Sequence, residues 1–545
     1  MTLFERILTA RGLATRAARQ AFLQPDYMAV KHDPFLLPDM KKAVARLKRA
    51  REQGEKIVIY GDYDIDGLSA TALLLDAFGK FGFEGVDAFI PNRFVEGYGM
   101  TMGAVDKVRD MGADLIVTVD TGSLCHTEIA YAASLGIDTV VTDHHNVAEI
   151  PPPSVAAVNP KFSGHTYPFR DLCGAGVAFK LVQALQTELD GLPDGYEKWL
   201  LDLVALGTVC DIVTLADENR ANVYWGLEVL KKQQRPGLKA LMAVSGIEPE
   251  QVNARHLGFG LGPRMNAAGR LETAQHALDM LTARDGLAAL EASEKLEELN
   301  VKRRGIQDAI FEEACVQAEQ LADDRVLVVS SDGWNHGVIG IVASKLVEKY
   351  KKPVFIIGER GEEATGSARS FGDFSAADAV RAADDIIIKG GGHGAAAGVT
   401  LATEKIGDFR RRVNDFYDSL QLTNQERYLL PRADVEIADF SEIDEELVEN
   451  LARMEPFGNG NPEPVVKITT ASVLSARRMG ADGQHVKLTL RDQNGKALQM
   501  LAFNAPEAFF CEPGDEVVAW FQPTINEWQG VRTVEGRLVH MALLD

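Results

Sequence analysis

The stretch Val58-Ile59-Tyr60-Gly61-Asp62-Tyr63-Asp64-Ile65-Asp66-Gly67 runs a short apolar segment into three aspartates. Two later stretches repeat the form: Leu115-Ile116-Val117-Thr118-Val119-Asp120 and Thr139-Val140-Val141-Thr142-Asp143-His144-His145. Apolar runs without polar alternation suit strands buried on both faces of a parallel sheet. A helix-like stretch follows each, so the strands share a direction and their carboxyl ends share one edge. Open α/β sheets build their sites on that edge. The carboxylates and the two imidazoles of these tips therefore gather at one crevice, where they repel unless a cation lies between them. One aspartate at a strand end reads as a helix N-cap, but three such tips together read as a metal site. Asp211 is the one charge in Ala205-Leu206-Gly207-Thr208-Val209-Cys210-Asp211-Ile212-Val213. A lone buried aspartate is costly unless paired or metal-bound, so it is expected to join the same site. Mixed carboxylate and imidazole ligands favour Mn²⁺ or Mg²⁺ over zinc.

Composition frames this site. The chain has 545 residues, enough for three or four domains with real cores. Its five cysteines (Cys125, Cys173, Cys210, Cys315 and Cys511) show no C-x-x-C pairing, which argues against a disulfide framework or a thiolate zinc site. No signal-peptide core opens the sequence and no apolar run reaches membrane-spanning length, so a soluble, cytoplasmic protein is expected. The net charge of −22 sits awkwardly with a nucleic-acid enzyme. Phosphate binding depends on local cation clusters rather than the total, and Lys302-Arg303-Arg304, Arg410-Arg411-Arg412, Arg477-Arg478 and the Arg264 and Arg270 pair supply such clusters. Each cluster taken singly also fits a solvated helix face.

Punctuation divides the chain. Residues 1–55 read as helical, with amphipathic spacing around Met40 to Arg51. Apolar runs and helical patterns then alternate, the signature of βαβ units. Arg264 to Lys352 holds no proline, and Leu287, Leu290, Leu296, Leu299, Ile306 and Ile310 recur at near-helical spacing, so one or more long helices are expected there. A second α/β region begins at Val326-Leu327-Val328-Val329. Within it Gly390-Gly391-Gly392-His393-Gly394 fits either an anion-binding loop or a tight turn. Ser367 and Arg369, two apart on an extended segment, point to one side and suit a phosphate. After about Glu426, alternating strands such as Val486-Lys487-Leu488-Thr489-Leu490-Arg491 suggest a small antiparallel barrel. Phe503, Trp520, Phe521 and Trp528 there are candidates for base stacking or for the core.

The ordered motifs carry a resemblance. Gly61-Asp62-Tyr63-Asp64-Ile65-Asp66-Gly67, Val119-Asp120-Thr121-Gly122, Asp143-His144-His145 and Gly207-Thr208-Val209-Cys210-Asp211 resemble those of the DHH phosphoesterase superfamily. Gly333-Trp334-Asn335-His336-Gly337-Val338-Ile339-Gly340-Ile341-Val342-Ala343, Gly366-Ser367-Ala368-Arg369-Ser370 and Gly390-Gly391-Gly392-His393-Gly394-Ala395-Ala396-Ala397-Gly398 look like its companion DHHA1 domain. Pro456-Phe457-Gly458-Asn459-Gly460-Asn461-Pro462 and Gly262-Pro263-Arg264-Met265-Asn266-Ala267-Ala268-Gly269-Arg270 are similar to the RecJ family of bacterial single-strand-specific exonucleases. The resemblance implies an α/β fold: a parallel-sheet DHH domain joined by a long helix to a second α/β DHHA1 domain, then a C-terminal OB-type β-barrel. The expected divisions are an N-terminal helical segment (1–55), the DHH domain (56–215), a helical connector (216–322), the DHHA1 domain (323–425) and the single-strand-binding barrel (426–545).

It further implies metal-dependent 5′-to-3′ hydrolysis of single-stranded DNA, in repair and recombination, with two Mn²⁺ or Mg²⁺ ions. Asp120 would bridge the ions, Asp64 would hold one, and Asp66, His144 and Asp211 the other. Small pyrophosphatases of the superfamily carry a histidine where this chain has Tyr60, so Asp62 is the candidate replacement ligand. His145, Asp143 and His393 would be catalytic, His145 touching the scissile phosphate and His393 near it. Arg93, in Pro91-Asn92-Arg93-Phe94-Val95-Glu96-Gly97-Tyr98-Gly99 at the strand-end edge of the metals, would bind substrate together with Arg264, Asn266, Ser367, Arg369 and Gly392. A pocket between lobes would collect a 5′-phosphate; ordinary ion pairs are the other reading of these arginines. The expected partner is single-stranded DNA bound by a monomer; a single-strand-binding protein and a helicase are implied by family alone. A phosphodiesterase of short oligonucleotides or cyclic dinucleotides usually lacks the barrel, and a scaffold that has lost its ligands would lack the aspartates.

Overall fold

The computed structural model describes residues 1–97 and 99–544; Tyr98, in the loop after Arg93, and Asp545 lie outside the described residues. The chain forms two compact units. Met1–Pro91, Val95–Gly262 and Leu430–Asp545 make the first, and Asn92–Phe94 with Pro263–Leu429 make the second.

The first unit is built on five parallel strands, β1 (Ile57–Gly61), β2 (Val86–Phe89), β3 (Leu115–Val119), β4 (Asp138–Thr142) and β5 (Ala156–Val158), in the order β2-β1-β3-β4-β5. The runs that read as buried strands are β1, β3 and β4, and β1 and β3 are buried throughout. Chain order reverses between β1 and β3, which opens a crevice at their carboxyl ends. Register then aligns the tips. Gly61 pairs with Val119, Val119 with Thr142 and Thr142 with Val158. Asp62, Asp120, Asp143 and Asn159 therefore follow one row across four strands. Three helices pack together behind this edge: Ile65–Phe81, Gly174–Gln186 and Leu201–Cys210, the last buried along almost its whole length.

The same unit carries β11 (Val435–Ile437), β12 (Val466–Met479), β13 (His485–Arg491), β14 (Ala497–Ala502), β15 (Glu516–Trp528) and β16 (Val531–Leu543). Pairing of β12 with β15 closes β12-β13-β14-β16-β15 into a five-stranded OB-type barrel, with β11 alongside β12. The barrel is of the expected OB type, antiparallel except at one seam, where β14 and β16 are parallel. After the β15–β16 hairpin the chain re-enters beside β14, and alternation of side chains reports a half-buried face but not the direction of a neighbour. Trp520 and Phe521 are core residues, whereas Phe503 and Trp528 are exposed. The helix Leu3–Ala10, started by a Thr2/Glu5 capping box, inserts Leu3, Ile7 and Leu8 into the barrel core beside Ile437 and Phe440.

The second unit contains β6 (Leu327–Asp332), β7 (Val354–Arg360), β8 (Glu363–Arg369), β9 (Ile387–Gly392) and β10 (Ala396–Ala402), ordered β6-β7-β8-β10-β9. Only β6 and β7 are parallel; the remaining pairs are antiparallel. The proline-free stretch forms a 35-residue helix, Gly286–Gln320, capped by Asp285 and burying Leu296, Leu299 and Ile310.

Candidate metal centre

Asp62, Asp64 and Asp66 lie on the turn from β1 into the helix Ile65–Phe81. Asp64 caps that helix, its Oδ1 accepting the N–H groups of Asp66 and Gly67 at 3.0 and 3.1 Å. Asp66 is buried on the helix's first turn and accepts the N–H groups of Gly174 (2.5 Å) and Ala175 (2.8 Å), which open the helix Gly174–Gln186. Two orphan donors and the positive end of the dipole thereby fix this carboxylate. Asp120 stands directly after β3 with φ 61, a left-handed conformation that costs a non-glycine residue roughly 1–2 kcal/mol. Two glycines make the space: a Cβ on Gly174 would lie 2.5 Å from Asp120 Cβ, and one on Gly207 would collide with Asp66 Oδ1. Asp211 ends the helix Leu201–Cys210, not a strand. A carboxylate at the negative end of a helix is poorly placed without a cation.

These groups converge. Asp66, His144 and Asp211 offer ligand atoms within 4.8 Å of one another, as do Asp62, Asp64 and Asp120, and Asp120, His144 and His145. His144 Nε2 is 3.0 Å from Asp120 Oδ1, 3.5 Å from Asp211 and 3.7 Å from Asp66. Asp120 belongs to the set with Asp62 and Asp64 and touches His144 of the set with Asp66 and Asp211, so it stands where the two sets meet. Asp62 is grouped with Asp64 and Asp120. Tyr60 does not approach it, since its buried hydroxyl donates to the Gly99 carbonyl at 3.0 Å.

The electrostatics call for a cation. Burial first, then Asp66, Asp64, Asp62 and Asp211, drives the Asp120 carboxyl well above the usual range. Burial with Asp66 and Asp64 pushes Asp211 up to about 8. Burial likewise raises Asp66, against the pull of His144, and lowers His144. Asp120 Oδ1 and His144 Nε2 are buried and make no hydrogen bond, although they face each other. Oxygen and imidazole donors with no thiolate, crowded and unsatisfied, fit Mn²⁺ or Mg²⁺.

Asp143 plays a different part. Its carboxylate accepts the N–H groups of Ser123, His144 and His145 and bonds His145 Nδ1 at 2.9 Å. These bonds hold its pKa well below the usual range despite its burial. Burial works against a charged His145, but Asp143 outweighs it, with Asp211 and Asp62 behind, and raises that imidazole to about 9. Sequence reading missed Asn159, which donates to Ser123 Oγ (2.8 Å) and the His145 carbonyl (3.0 Å) and so steadies the imidazole's backbone. Its signal was a polar residue directly after the apolar run Ala156-Ala157-Val158. Gly174 was missed as well.

The remaining candidates belong to the second unit, including Arg93, whose segment Asn92–Phe94 groups there and is tied by Asn92 to the Glu272 carbonyl at 3.1 Å. Ser367 and Arg369 share one face of β8, and Arg369 donates to Ser367 Oγ (3.2 Å) and the Ala368 carbonyl (2.8 Å). Among the described residues no carboxylate pairs with Arg369, whose pKa burial lowers. Gly340 permits this arrangement, since a Cβ there would meet Ser367 Oγ at 3.0 Å. Arg264 instead pairs with Glu297 at 2.5 Å, and Asn266 is half-buried on the same helix. Gly392, at φ 148, opens the turn between β9 and β10; His393 lies exposed at its tip, exchanging backbone bonds with Ala396. The first three glycines of the run thus end β9, and His393 to Ala395 turn the chain into β10.

Family models match three stretches: the DHH family N-terminal domain at residues 56–208, the DHHA1 domain at 323–419 and the RecJ OB domain at 433–540. The chain is 39% identical to the single-stranded-DNA-specific exonuclease RecJ of Bacillus subtilis (strain 168), covering 96% of this chain and 65% of that protein. It is 34% identical to the exonuclease of the same name from Dickeya dadantii (strain 3937), covering 93% and 91%. The crystal structure of RecJ from Thermus thermophilus in complex with Mn²⁺ superposes with a TM-score of 0.84 at 29% identity, over 99% of this chain and 76% of that one. With its three matched domains in order and a relative this similar along nine-tenths of its length, the chain belongs to the RecJ family of single-stranded-DNA-specific exonucleases.

Proposed function

We propose that the protein is a hydrolase that degrades single-stranded DNA from its 5′ end, in repair and recombination, using Mn²⁺ or Mg²⁺. The observation that carries this reading is the pair of ligand sets that meet at Asp120: it is grouped with Asp62 and Asp64, and it contacts His144, which is grouped with Asp66 and Asp211. Asp62, Asp64, Asp120, Asp66, His144 and Asp211 would hold two divalent ions, which would supply an activated water and neutralise charge at the leaving oxygen. The protein's own groups do the rest. His145, charged through Asp143, donates to a phosphate oxygen and is a catalytic residue on this reading, while Asp143 positions it. Ser367 and Arg369 recognise the terminal phosphate, which carries more charge than a diester and answers the missing counter-charge at Arg369. The barrel grips the strand, with exposed Phe503 and Trp528 as stacking surfaces. Among the described residues no helix is long and apolar enough to cross a membrane.

The test uses strands labelled at either end, with 5′-phosphate or 5′-hydroxyl, in Mn²⁺, Mg²⁺ or chelator. Metal-dependent release of the 5′ label first, and faster from phosphorylated ends, is expected. Loss of the 3′ label first, or equal turnover in chelator, would overturn the reading.

A further inference from the structure

The loop Pro456-Phe457-Gly458-Asn459-Gly460-Asn461-Pro462 leads from the helix Glu445–Ala452 into barrel strand β12. Its contacts, however, fall on the residues that follow Asp211. Asn459 Nδ2 donates to the Ile212 carbonyl at 2.8 Å, and the Asn459 carbonyl accepts the Leu215 N–H at 2.8 Å. These two bonds clasp the turn by which the chain leaves Asp211. Ile212 within it has φ 60 and is 69% exposed. A β-branched residue disfavours that conformation, and exposure means that burial does not hold it there, so an outside restraint must.

The loop is shaped for the task. Gly460 lies at φ +76, and a Cβ on it would stand 2.5 Å from Thr214 Cγ2; one on Gly458 would stand 2.8 Å from Leu215 Cδ1. The loop is itself anchored. Asn461 Nδ2 donates to the carbonyls of Met454 (2.9 Å) and Pro456 (2.8 Å), and Arg11 donates to Asn461 Oδ1 at 2.7 Å. The guanidinium of Arg220, buried, donates to the carbonyls of Met454, Glu455 and Pro456.

We propose that this loop positions the metal ligand Asp211, with Asn459 fixing the left-handed Ile212 and through it the direction of the carboxylate toward Asp66 and His144. The proposal rests on the metal-dependent reading above. Asn459 touches neither metal nor substrate; it is a positioning residue, and it ties the entry of the barrel to one half of the metal centre.

The experiment titrates Mn²⁺ into the full chain without DNA, followed by calorimetry, alongside thermal melting in chelator and steady-state kinetics. Asn459→Ala is expected to weaken Mn²⁺ binding at one site by about tenfold or more, the range seen when groups behind a ligand are removed. Its melting temperature in chelator stays near wild type. kcat falls at limiting Mn²⁺ and recovers at excess, while KM for the strand is unchanged. Ile212→Asn, a residue that takes the left-handed region readily, is expected to restore Mn²⁺ affinity in the Asn459→Ala background. Gly460→Ala carries the same expectation as Asn459→Ala. Wild-type Mn²⁺ affinity in Asn459→Ala with a raised KM would overturn the proposal, leaving the loop a docking element for the barrel alone. A fall in melting temperature matching the loss of affinity, with no recovery by Ile212→Asn, would overturn it as well. If wild type binds Mn²⁺ no more tightly than Asp211→Asn, the metal reading itself fails, and that arm is separate from the loop variants.

Discussion

At the carboxyl edge of the first sheet, five aspartates and two imidazoles crowd together, and burial raises the pKa of Asp120, Asp66 and Asp211. On β8 of the second unit the imbalance is reversed: Arg369 is half-buried with a hydroxyl and a carbonyl for company and no carboxylate among the described residues. One region has surplus negative charge and the other a positive charge without an answer. Each is costly as it stands and becomes favourable on binding its complement. Arg264 of the same unit, by contrast, is paired with Glu297.

The largest effect tests the negative region. Asp120→Ala removes the carboxylate that is grouped with Asp62 and Asp64 and contacts His144 of the other set, so hydrolysis should vanish while strand binding persists. Retention of more than about a tenth of wild-type turnover would show that Asp120 is not the bridge. The two histidines divide next. His144→Ala should weaken Mn²⁺ binding by about 10- to 100-fold, whereas His145→Ala should leave the metal titration unchanged and lower turnover at saturating metal. Matching titrations for the two variants would erase the distinction drawn from Asp143.

The positive region gives a smaller effect. Arg369→Ala should cut the preference for a 5′-phosphate over a 5′-hydroxyl by about tenfold, equivalent to roughly 1.4 kcal/mol, just below the ~1.5–3 kcal/mol range for a hydrogen bond to a charged group. Arg264→Ala should change that preference much less. An equal loss in both would break the contrast between them.

The smallest effect lies in pH. Asp211, at about 8 in the folded chain, sits above its unfolded value of 3.8. Stability associated with its protonation is fully present below the unfolded pKa and is lost as pH rises through the folded one. In chelator, the melting temperature of wild type should therefore fall relative to Asp211→Asn between about pH 4 and pH 8. Mn²⁺ affinity of wild type should rise over the same interval, because binding displaces the proton. A constant difference between the two melting curves would show that Asp211 is not strained by its neighbours.

Much of the metal centre was legible because a buried parallel strand must be apolar and its tip need not be, so Asp62, Asp120 and Asp143 stood out. Asp211 was legible as a lone charge but not as a helix terminus, since an apolar run of that length fits a strand or a buried helix equally. The spaces at Gly174 and Gly207 were hidden, because a missing Cβ has meaning only once the opposing carboxylate is placed. The left-handed Asp120 and Ile212 could not be read, as local sequence does not record strain imposed from elsewhere. The glycine run around His393 was legible as a run of small residues but not as the end of a strand leading into a hairpin, which its pairing shows.

The helix Leu3–Ala10 is made long before the barrel strands that receive it: the bond from Arg6 to Glu442 spans 436 positions. Leu3, Ile7 and Leu8 leave the ribosome with an apolar stripe whose partner does not yet exist. At about 5–20 residues per second that stripe waits tens of seconds for the barrel to be translated. A chaperone that shields this helix through that interval would raise the yield of folded chain.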